Sequence, residues 1–196
     1  MREKAIAVRE KLAEYGYGDK PIFVTEAGTH SNANTVRPSS QEQQARYVVE
    51  LFTQSLSADV DAMIWWLLYD GNEDFQTGLI TPGANPVPKK SFTAYQVITE
   101  ELGSAHYKRK LTDAETGHEE MEAYLFVDYQ NQRDTYVAWL NPVMTTATGT
   151  LRLTAPQATV RDIYGATTIN DSADGAHDGR VTIRIGGEPV YIEVSH

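Results

Sequence analysis

The sequence contains no cysteine among its 196 residues, which excludes disulfide bonds and thiolate chemistry and leaves the compartment open. It contains no apolar run near the ~20 residues that a membrane-spanning helix needs. It also contains no tract rich in lysine or arginine. The net charge is −10; residues 1–103 carry 9 basic and 14 acidic groups and residues 104–196 carry 8 and 13, so each contributes −5. We therefore expect neither nucleic acid nor a membrane as a partner.

Other absences narrow the class of function further. The sequence has no P-loop, no G-x-G-x-x-G motif after a strand and no G-x-S-x-G motif, so nothing in it indicates a nucleotide cofactor or a serine hydrolase. The five histidines show no pair at the spacing of metal ligands. We expect no cofactor and no metal. Residues 1–4 open a charged amphipathic pattern without a signal peptide, so cytoplasmic and secreted locations both remain open.

Residues 1–103 alternate helical and strand patterns. Short apolar runs at 21–25 and 62–68 are typical of strands that are buried on both faces, and such strands form a parallel sheet covered by helices. The form S-x-x-E at residues 39–42 predicts the capping box of a helix. The predicted elements are a helix over 1–16 with an apolar stripe at Ile6, Val8, Leu12 and Ala13, a strand over 21–25, a helix after the capping box, a strand over 62–68, a loop over 71–90 and a helix from Ser91.

Residues 104–196 change to a period of two. Seven or eight short runs of alternating apolar residues are separated by turn formers such as Gly117, Gly165 and Gly179. This spacing predicts an antiparallel β-sandwich. The fold class is therefore α/β plus all-β, with a domain boundary near residue 104.

Glu26 is the sharpest candidate for chemistry. It follows the first predicted strand, and the small residues Ala27 and Gly28 allow the chain to turn sharply after it. Parallel barrels gather their catalytic groups at the carboxyl ends of their strands. The alternative is a structural carboxylate bonded to loop amides or to a basic group.

Trp65 and Trp66 are the second candidate. Because side chains alternate along a strand, one indole faces inward and the other faces the helices. The inward indole offers a flat apolar platform and an N–H donor, which suits a sugar ring. The alternative is that both tryptophans are core residues.

Polar side chains follow the second predicted strand. Asp70 and Asn72, together with Glu73 and Asp74, could bond sugar hydroxyls or hold a cation if the two strands are parallel. The alternative is a solvated acidic loop. Among the histidines, only His30 lies close enough to Glu26 in sequence to enter the same site.

Four motifs together resemble one family. Residues 20–28 (KPIFVTEAG) resemble the seventh strand of the retaining (β/α)8-barrel glycoside hydrolases, the clan that includes β-xylosidases, cellulases and mannanases. Residues 64–70 (IWWLLYD) resemble the eighth strand of that clan. Residues 78–80 (GLI) and 88–95 (PKKSFTAY) resemble its passage into the last helix. The domain that ends at 189–194 (PVYIEV) is similar to the C-terminal sandwiches that many such enzymes carry.

The resemblance implies roles for individual residues. Glu26 matches the catalytic nucleophile of the seventh strand. Trp66, or else Trp65, matches the aromatic residue that lines the subsite of the reacting sugar. His30, Asp70 and Asn72 would be further substrate contacts, and the substrate would be a carbohydrate with an O-glycosidic bond.

The resemblance also implies that part of the site is missing. A whole barrel has eight strands in ~250 residues, and this chain matches the part from the sixth helix to the eighth helix, in residues 1–103. The general acid/base of the clan lies on the fourth strand, so we expect a fragment with little activity by itself. The open strand edges predict a partner, either the missing barrel portion or a second copy of the chain. The alternative functions are a non-catalytic carbohydrate-binding protein and a structural module.

Overall fold

The computed structural model describes residues 1–33, 36–71, 76–170 and 178–194, which we call the described residues. The chain divides into two compact units, Met1–Gln96 and Val97–His196. The sequence predicts a boundary near residue 104, after the third long helix; the division instead falls within that helix.

The first unit consists of helices around a small parallel sheet. Its elements are α1 (Arg2–Glu14), β1 (Phe23–Ala27), α2 (Gln41–Leu56), β2 (Ala62–Trp65), β3 (Ile80–Thr81), β4 (Val87–Pro88) and the beginning of α3 (Lys90–Leu102). Strands β1 and β2 pair in parallel, and β3 and β4 form an antiparallel hairpin. The order of the long helices and the parallel strands agrees with the prediction, and the hairpin lies in the stretch that was predicted to be a loop.

The predicted burial of the two parallel strands on both faces is wrong. One face of β1 packs with α1 and the α2–β2 turn, because Val24 contacts a cluster made by Ala5, Ala58 and Val60. On the other face Phe23 is 64% exposed and Ile64 is 53% exposed. Strand β1 begins at Phe23, two residues after the predicted start, while β2 begins at Ala62, as predicted, and ends early, at Trp65. An apolar run identifies a strand, but it does not show whether a second layer covers it.

The capping box of α2 lies one residue later than the sequence pattern indicates. Ser40, not Ser39, is the N-cap: its Oγ accepts from the Gln43 amide at 3.2 Å, and its own amide donates to Gln43 Oε1 at 2.9 Å. Glutamine serves as well as glutamate at this position. Glu42 is therefore free of the box and pairs with Lys90 at 2.6 Å.

Helix α1 is held at the amino ends of β1 and β2 by an arginine. Arg9 donates to the carbonyl oxygens of Lys20 at 2.5 Å and Asp59 at 2.8 Å. The Asp61 carboxylate accepts from the Ile22 amide at 2.7 Å and so joins the starts of the two strands. The predicted apolar stripe of α1 is only partly buried, because Val8 points into solvent.

The second unit contains two antiparallel sheets, in agreement with the predicted sandwich. Its elements are β5 (His106–Lys110), α4 (Asp113–Thr116), β6 (Met121–Asp128), β7 (Arg133–Leu140), β8 (Gly149–Thr154), β9 (Ala158–Asp162), β10 (Thr167–Asn170), β11 (Arg180–Ile185) and β12 (Val190–Val194). Six strands form one sheet in the order β10-β9-β12-β7-β6-β5, and β11 pairs with β8 in the other. Side chains from both sheets, among them Leu125, Leu151, Ile183 and Ile192, share one apolar core.

Helices long and apolar enough to span a membrane are not found in the parts of the chain that the structure describes.

Candidate functional site

The carboxyl ends of β1 and β2 bring Glu26 and Trp66 to one edge of the parallel sheet. Ala27 pairs with Trp65, and the Trp66 amide donates to the Ala27 carbonyl oxygen at 2.8 Å. Glu26 precedes this pair of residues in β1, and Trp66 directly follows the end of β2. The pairing of the two strands is irregular between Val24 and Ala27, so strict alternation does not apply there; the side chains of Glu26 and Trp66 are both exposed.

The Glu26 carboxylate is exposed at this edge. Among the described residues it has no hydrogen-bond or ion-pair partner, so the structural roles weighed for it, bonding to loop amides or to a basic group, are not observed there. A carboxylate without partners keeps its lone pairs available to a ligand.

The two tryptophans have different environments. Trp65 is 7% exposed, and its indole Nε1 donates to the Thr77 carbonyl oxygen at 3.0 Å. Its ring lies 6.2 Å from the ring of Tyr47 on α2. Trp66 is 43% exposed, and the peptide bond that follows it is cis. Trp65 therefore has the environment of a core residue, while the Trp66 side chain is exposed at the same strand ends as Glu26.

Gly28 allows the two strand ends to approach each other closely. A Cβ atom at this position would lie 2.5 Å from the Trp66 carbonyl oxygen, well inside van der Waals contact. The sequence predicts a small residue here because the chain turns after Glu26. The structure adds a second reason, which is the close approach of the neighbouring segment.

We expect Gly28→Ala to lower the free energy of unfolding by about 1–3 kcal/mol, the usual cost of overpacking, because the backbone at Trp66 must move. Urea unfolding measures the loss of stability, and hydrogen exchange of the Trp66 amide measures the local change in the backbone. Gly186→Ala is the control, since no atom lies within 4 Å of a Cβ atom there. Equal stability of the two variants would contradict the close approach.

Asp70 is engaged in a buried ion pair. Its Oδ1 accepts from Lys89 Nζ at 2.8 Å and from the Gly78 amide at 2.8 Å. Lys89 also donates to the Gln76 carbonyl oxygen at 3.1 Å. Burial lowers the pKa of Lys89, and the bond to Asp70 opposes this shift. This environment differs from both sequence interpretations, a sugar contact and a solvated loop, because the carboxylate holds the segment after β2 in place.

Gln44 of α2 joins the segments that follow both parallel strands. Its side chain is fully buried, and Nε2 donates to the carbonyl oxygen of Thr29 at 2.8 Å and, at 3.3 Å, to that of Gln76. Its Oε1 accepts from Ser91 Oγ at 2.9 Å. The segment after β1, the segment after β2 and the start of α3 therefore share one amide group, which fixes the rim of the site.

The remaining residues that the sequence predicts as substrate contacts have no clear place in this site. His30 is half-buried, and its Nδ1 accepts from the Asn32 amide at 3.3 Å. Asn72 lies outside the described residues, as do Glu73 and Asp74. In the described ranges there is no group of three or more histidine, aspartate or glutamate side chains that could hold a metal ion.

Sequence reasoning missed Gln44 and Lys89 as determinants of this site. A signal for Gln44 was present, because a glutamine four residues before Val48 interrupts the apolar face of α2. Lys89 gave no comparable signal, since Lys90 stands beside it and only the fold shows which of the two is buried.

The geometry defines a parallel β/α edge with a free carboxylate and an exposed indole, and comparison with solved structures gives the chain a glycoside-hydrolase-like fold. No family model and no curated protein matches the sequence. Among solved structures, the chain is similar to the α-L-arabinofuranosidase of Thermotoga maritima, with a TM-score of 0.61 and 12% identity over 99% of this chain and 48% of that one.

Other solved structures give the same result. The family GH51 α-L-arabinofuranosidase of Thermotoga petrophila RKU-1 has a TM-score of 0.62 and 12% identity, over 98% of this chain and 47% of that chain. A Paenibacillus polymyxa xyloglucanase of glycoside hydrolase family 44 has a TM-score of 0.58 and 11% identity, over 98% of this chain and 35% of that one. The chain thus spans half or less of the length of these enzymes.

Proposed function

We propose that the chain is the carboxyl-terminal part of a retaining glycoside hydrolase. Residues 1–103 would form the last two β/α units of a (β/α)8 barrel, from its sixth to its eighth helix, and residues 104–196 a β-sandwich with a structural role. The observation that supports the proposal is that the exposed side chains of Glu26 and Trp66 lie at the joined carboxyl ends of two parallel strands. Active sites of such barrels lie at this end.

Glu26 would be the nucleophile. In a retaining mechanism its carboxylate oxygen attacks the anomeric carbon, a covalent glycosyl–enzyme ester forms, and the glycosidic C–O bond breaks. A second carboxyl group ~5–5.5 Å away donates its proton to the leaving oxygen and then takes a proton from the water that hydrolyses the ester. Asp70 is not available as this acid, because its side chain is buried and its Oδ1 accepts from Lys89 and from the Gly78 amide. The acid/base would come from another part of the barrel.

Trp66 would form the floor of the subsite for the reacting sugar. Its exposed indole offers an apolar face to the C–H groups of a sugar ring and an N–H group to a hydroxyl. Several of the similar structures are named as arabinofuranosidases, and one as a xyloglucanase, which supports a carbohydrate with an O-glycosidic bond as the substrate class.

A chimera tests this proposal. In it, residues 1–196 replace the carboxyl-terminal part of the Thermotoga maritima arabinofuranosidase to which they correspond. We expect the folded chimera to hydrolyse p-nitrophenyl glycosides and the chain alone to show little activity, because only the chimera contains both carboxyl groups. A folded chimera that releases no nitrophenol from a panel of pentosides and hexosides would contradict the proposal, and circular dichroism establishes the folding.

The open face of β1 and β2 would be covered by the rest of the barrel. Without it, we expect the purified chain to self-associate through residues 20–70, because the exposed side chains of Phe23 and Ile64 and the unpaired strand edges favour association. Ile64→Lys should shift the chain toward a monomer in size-exclusion chromatography with light scattering. Tyr129→Lys, on the surface of the second unit, is the control and should leave the mass unchanged. A monomeric native chain would contradict this expectation.

A further inference from the structure

The second unit contains a polar cavity that the proposed glycosidase chemistry does not use. It has a volume of about 280 Å³ and lies against the six-stranded sheet. Its walls include Tyr191 of β12, Arg161 and Thr159 of β9, Arg133 of β7 and Thr167 of β10. Because Ile192 faces the apolar core between the sheets, alternation puts Tyr191 on the outer face of the larger sheet.

Two of the residues that line this cavity each have a buried polar atom without a hydrogen-bond partner. The Tyr191 side chain is almost wholly buried, and its hydroxyl group makes no hydrogen bond. The Arg133 Nε atom is also buried without a partner. A buried polar atom without a partner is costly, and most such atoms in native proteins are bonded to protein, water or ligand. Gly165, with a φ of +94°, leaves this part of the wall without a side chain.

The charged groups around the cavity are paired with each other, with one carboxylate in excess. Arg161 donates to carboxylate oxygens of Glu101 and Glu100, at 2.8 Å each. Arg133 lies 3.7 Å from carboxylate oxygens of both Glu101 and Glu193. Two guanidinium groups thus face three carboxylates. An anion gains little from arginines that are already paired, so the cavity favours an uncharged ligand.

The remaining groups are suited to hydroxyl groups. The Tyr191 phenol and the Thr159 and Thr167 hydroxyls can each donate and accept, the Arg133 Nε–H can donate, and the Glu193 carboxylate can accept. Burial raises the pKa of Tyr191, so the phenol keeps its proton. The volume is just below the roughly 300–1,000 Å³ of clefts that hold drug-sized ligands, which corresponds to a single small ring.

We propose that this cavity binds one neutral polyhydroxylated ring of monosaccharide size, with the Tyr191 hydroxyl as a hydrogen-bond donor to it. The site is separate from Glu26 and does not depend on the proposed glycosidase function. Its chemistry is recognition only, and no bond of the ligand is broken.

Titration of the full chain with D-xylose, L-arabinose and D-glucose, followed by ¹H–¹⁵N NMR, tests the proposal. We expect at least one of these sugars to shift the amides of β9 and β12, with a dissociation constant on the order of 1–10 mM. Tyr191→Phe should weaken this binding about 5–10-fold, the effect of one hydrogen bond. The melting temperature should not fall, because the hydroxyl has no protein partner to lose.

Matched variants separate the possible outcomes. Tyr107→Phe removes a hydroxyl group from β5, outside the cavity, and should leave the affinity unchanged. Glu26→Gln should also leave it unchanged, and a loss there would overturn the separate site. The proposal is overturned as well if none of the three sugars shifts the β9 and β12 amides, if Tyr191→Phe binds as tightly as the native chain, or if inorganic phosphate competes with the sugar.

Discussion

Glu26→Gln is expected to lower the kcat of the chimera by roughly 10⁴-fold or more. Losses of this size are typical when the nucleophile is removed from a set of catalytic residues that act together. The amide has nearly the shape of the carboxylate but cannot form the glycosyl ester. Nitrophenol release under saturating substrate measures the loss. The affinity for substrate should change little, because Trp66 remains in place.

Two further variants make this result specific. Glu10→Gln removes an exposed carboxylate of α1 and should retain full activity. Glu26→Gly leaves space for a small anion, so azide should restore activity and yield a glycosyl azide. Activity that survives Glu26→Gln, or an equal loss in Glu10→Gln, would exclude Glu26 as the nucleophile and would leave the sugar-binding cavity of the second unit unaffected.

The second large effect is expected at Lys89. Its side chain is 2% exposed and that of its partner Asp70 is 8% exposed. Lys89→Ala leaves a buried carboxylate with only the Gly78 amide, and removal of one member of a buried ion pair costs about 3–5 kcal/mol. We expect a loss of this size in urea unfolding followed by tryptophan fluorescence, since Trp65 and Trp66 both lie in the first unit.

The neighbouring lysine provides the control. Lys90 forms an ion pair of similar length with Glu42, but the two side chains are 50% and 58% exposed, and such pairs contribute roughly 0–1 kcal/mol. Lys90→Ala should therefore change stability little. The double variant Lys89→Met with Asp70→Asn removes both charges and should recover part of the loss of Lys89→Ala. Equal losses at Lys89 and Lys90 would contradict the role assigned to burial.

Local pattern was sufficient to find the elements of this chain. The apolar stripe of α2 depends on residues within one or two helical turns, and the alternation in β6, β7 and β12 depends on a few neighbouring strand positions. Hydrophobic periodicity therefore predicts these elements. The same pattern misplaced the capping box, because Ser39 with Glu42 and Ser40 with Gln43 are both acceptable pairs in sequence. The choice between them depends on where the backbone enters the helix.

Long-range contacts decided what the pattern left open at the site. Alternation predicts that Trp65 and Trp66 lie on opposite faces, but only the position of Tyr47 on α2 shows that Trp65 is the one on the helix side. The sequence put Asp70 after the strand as a possible sugar contact. Its role changed because Lys89, far along the chain, reaches it.

The sequence by itself determined that this chain has helices with two adjacent strands, a carboxylate near the end of the first, tryptophans at the end of the second and a β-rich second half. Those properties depend on neighbours in the chain. Tertiary structure decided which polar groups are paired with each other and which remain free for a ligand: Asp70 is bound to Lys89, while Glu26 and the Tyr191 hydroxyl have no partner in the described residues. Pairing depends on distance in space between segments remote in sequence, which no local period encodes.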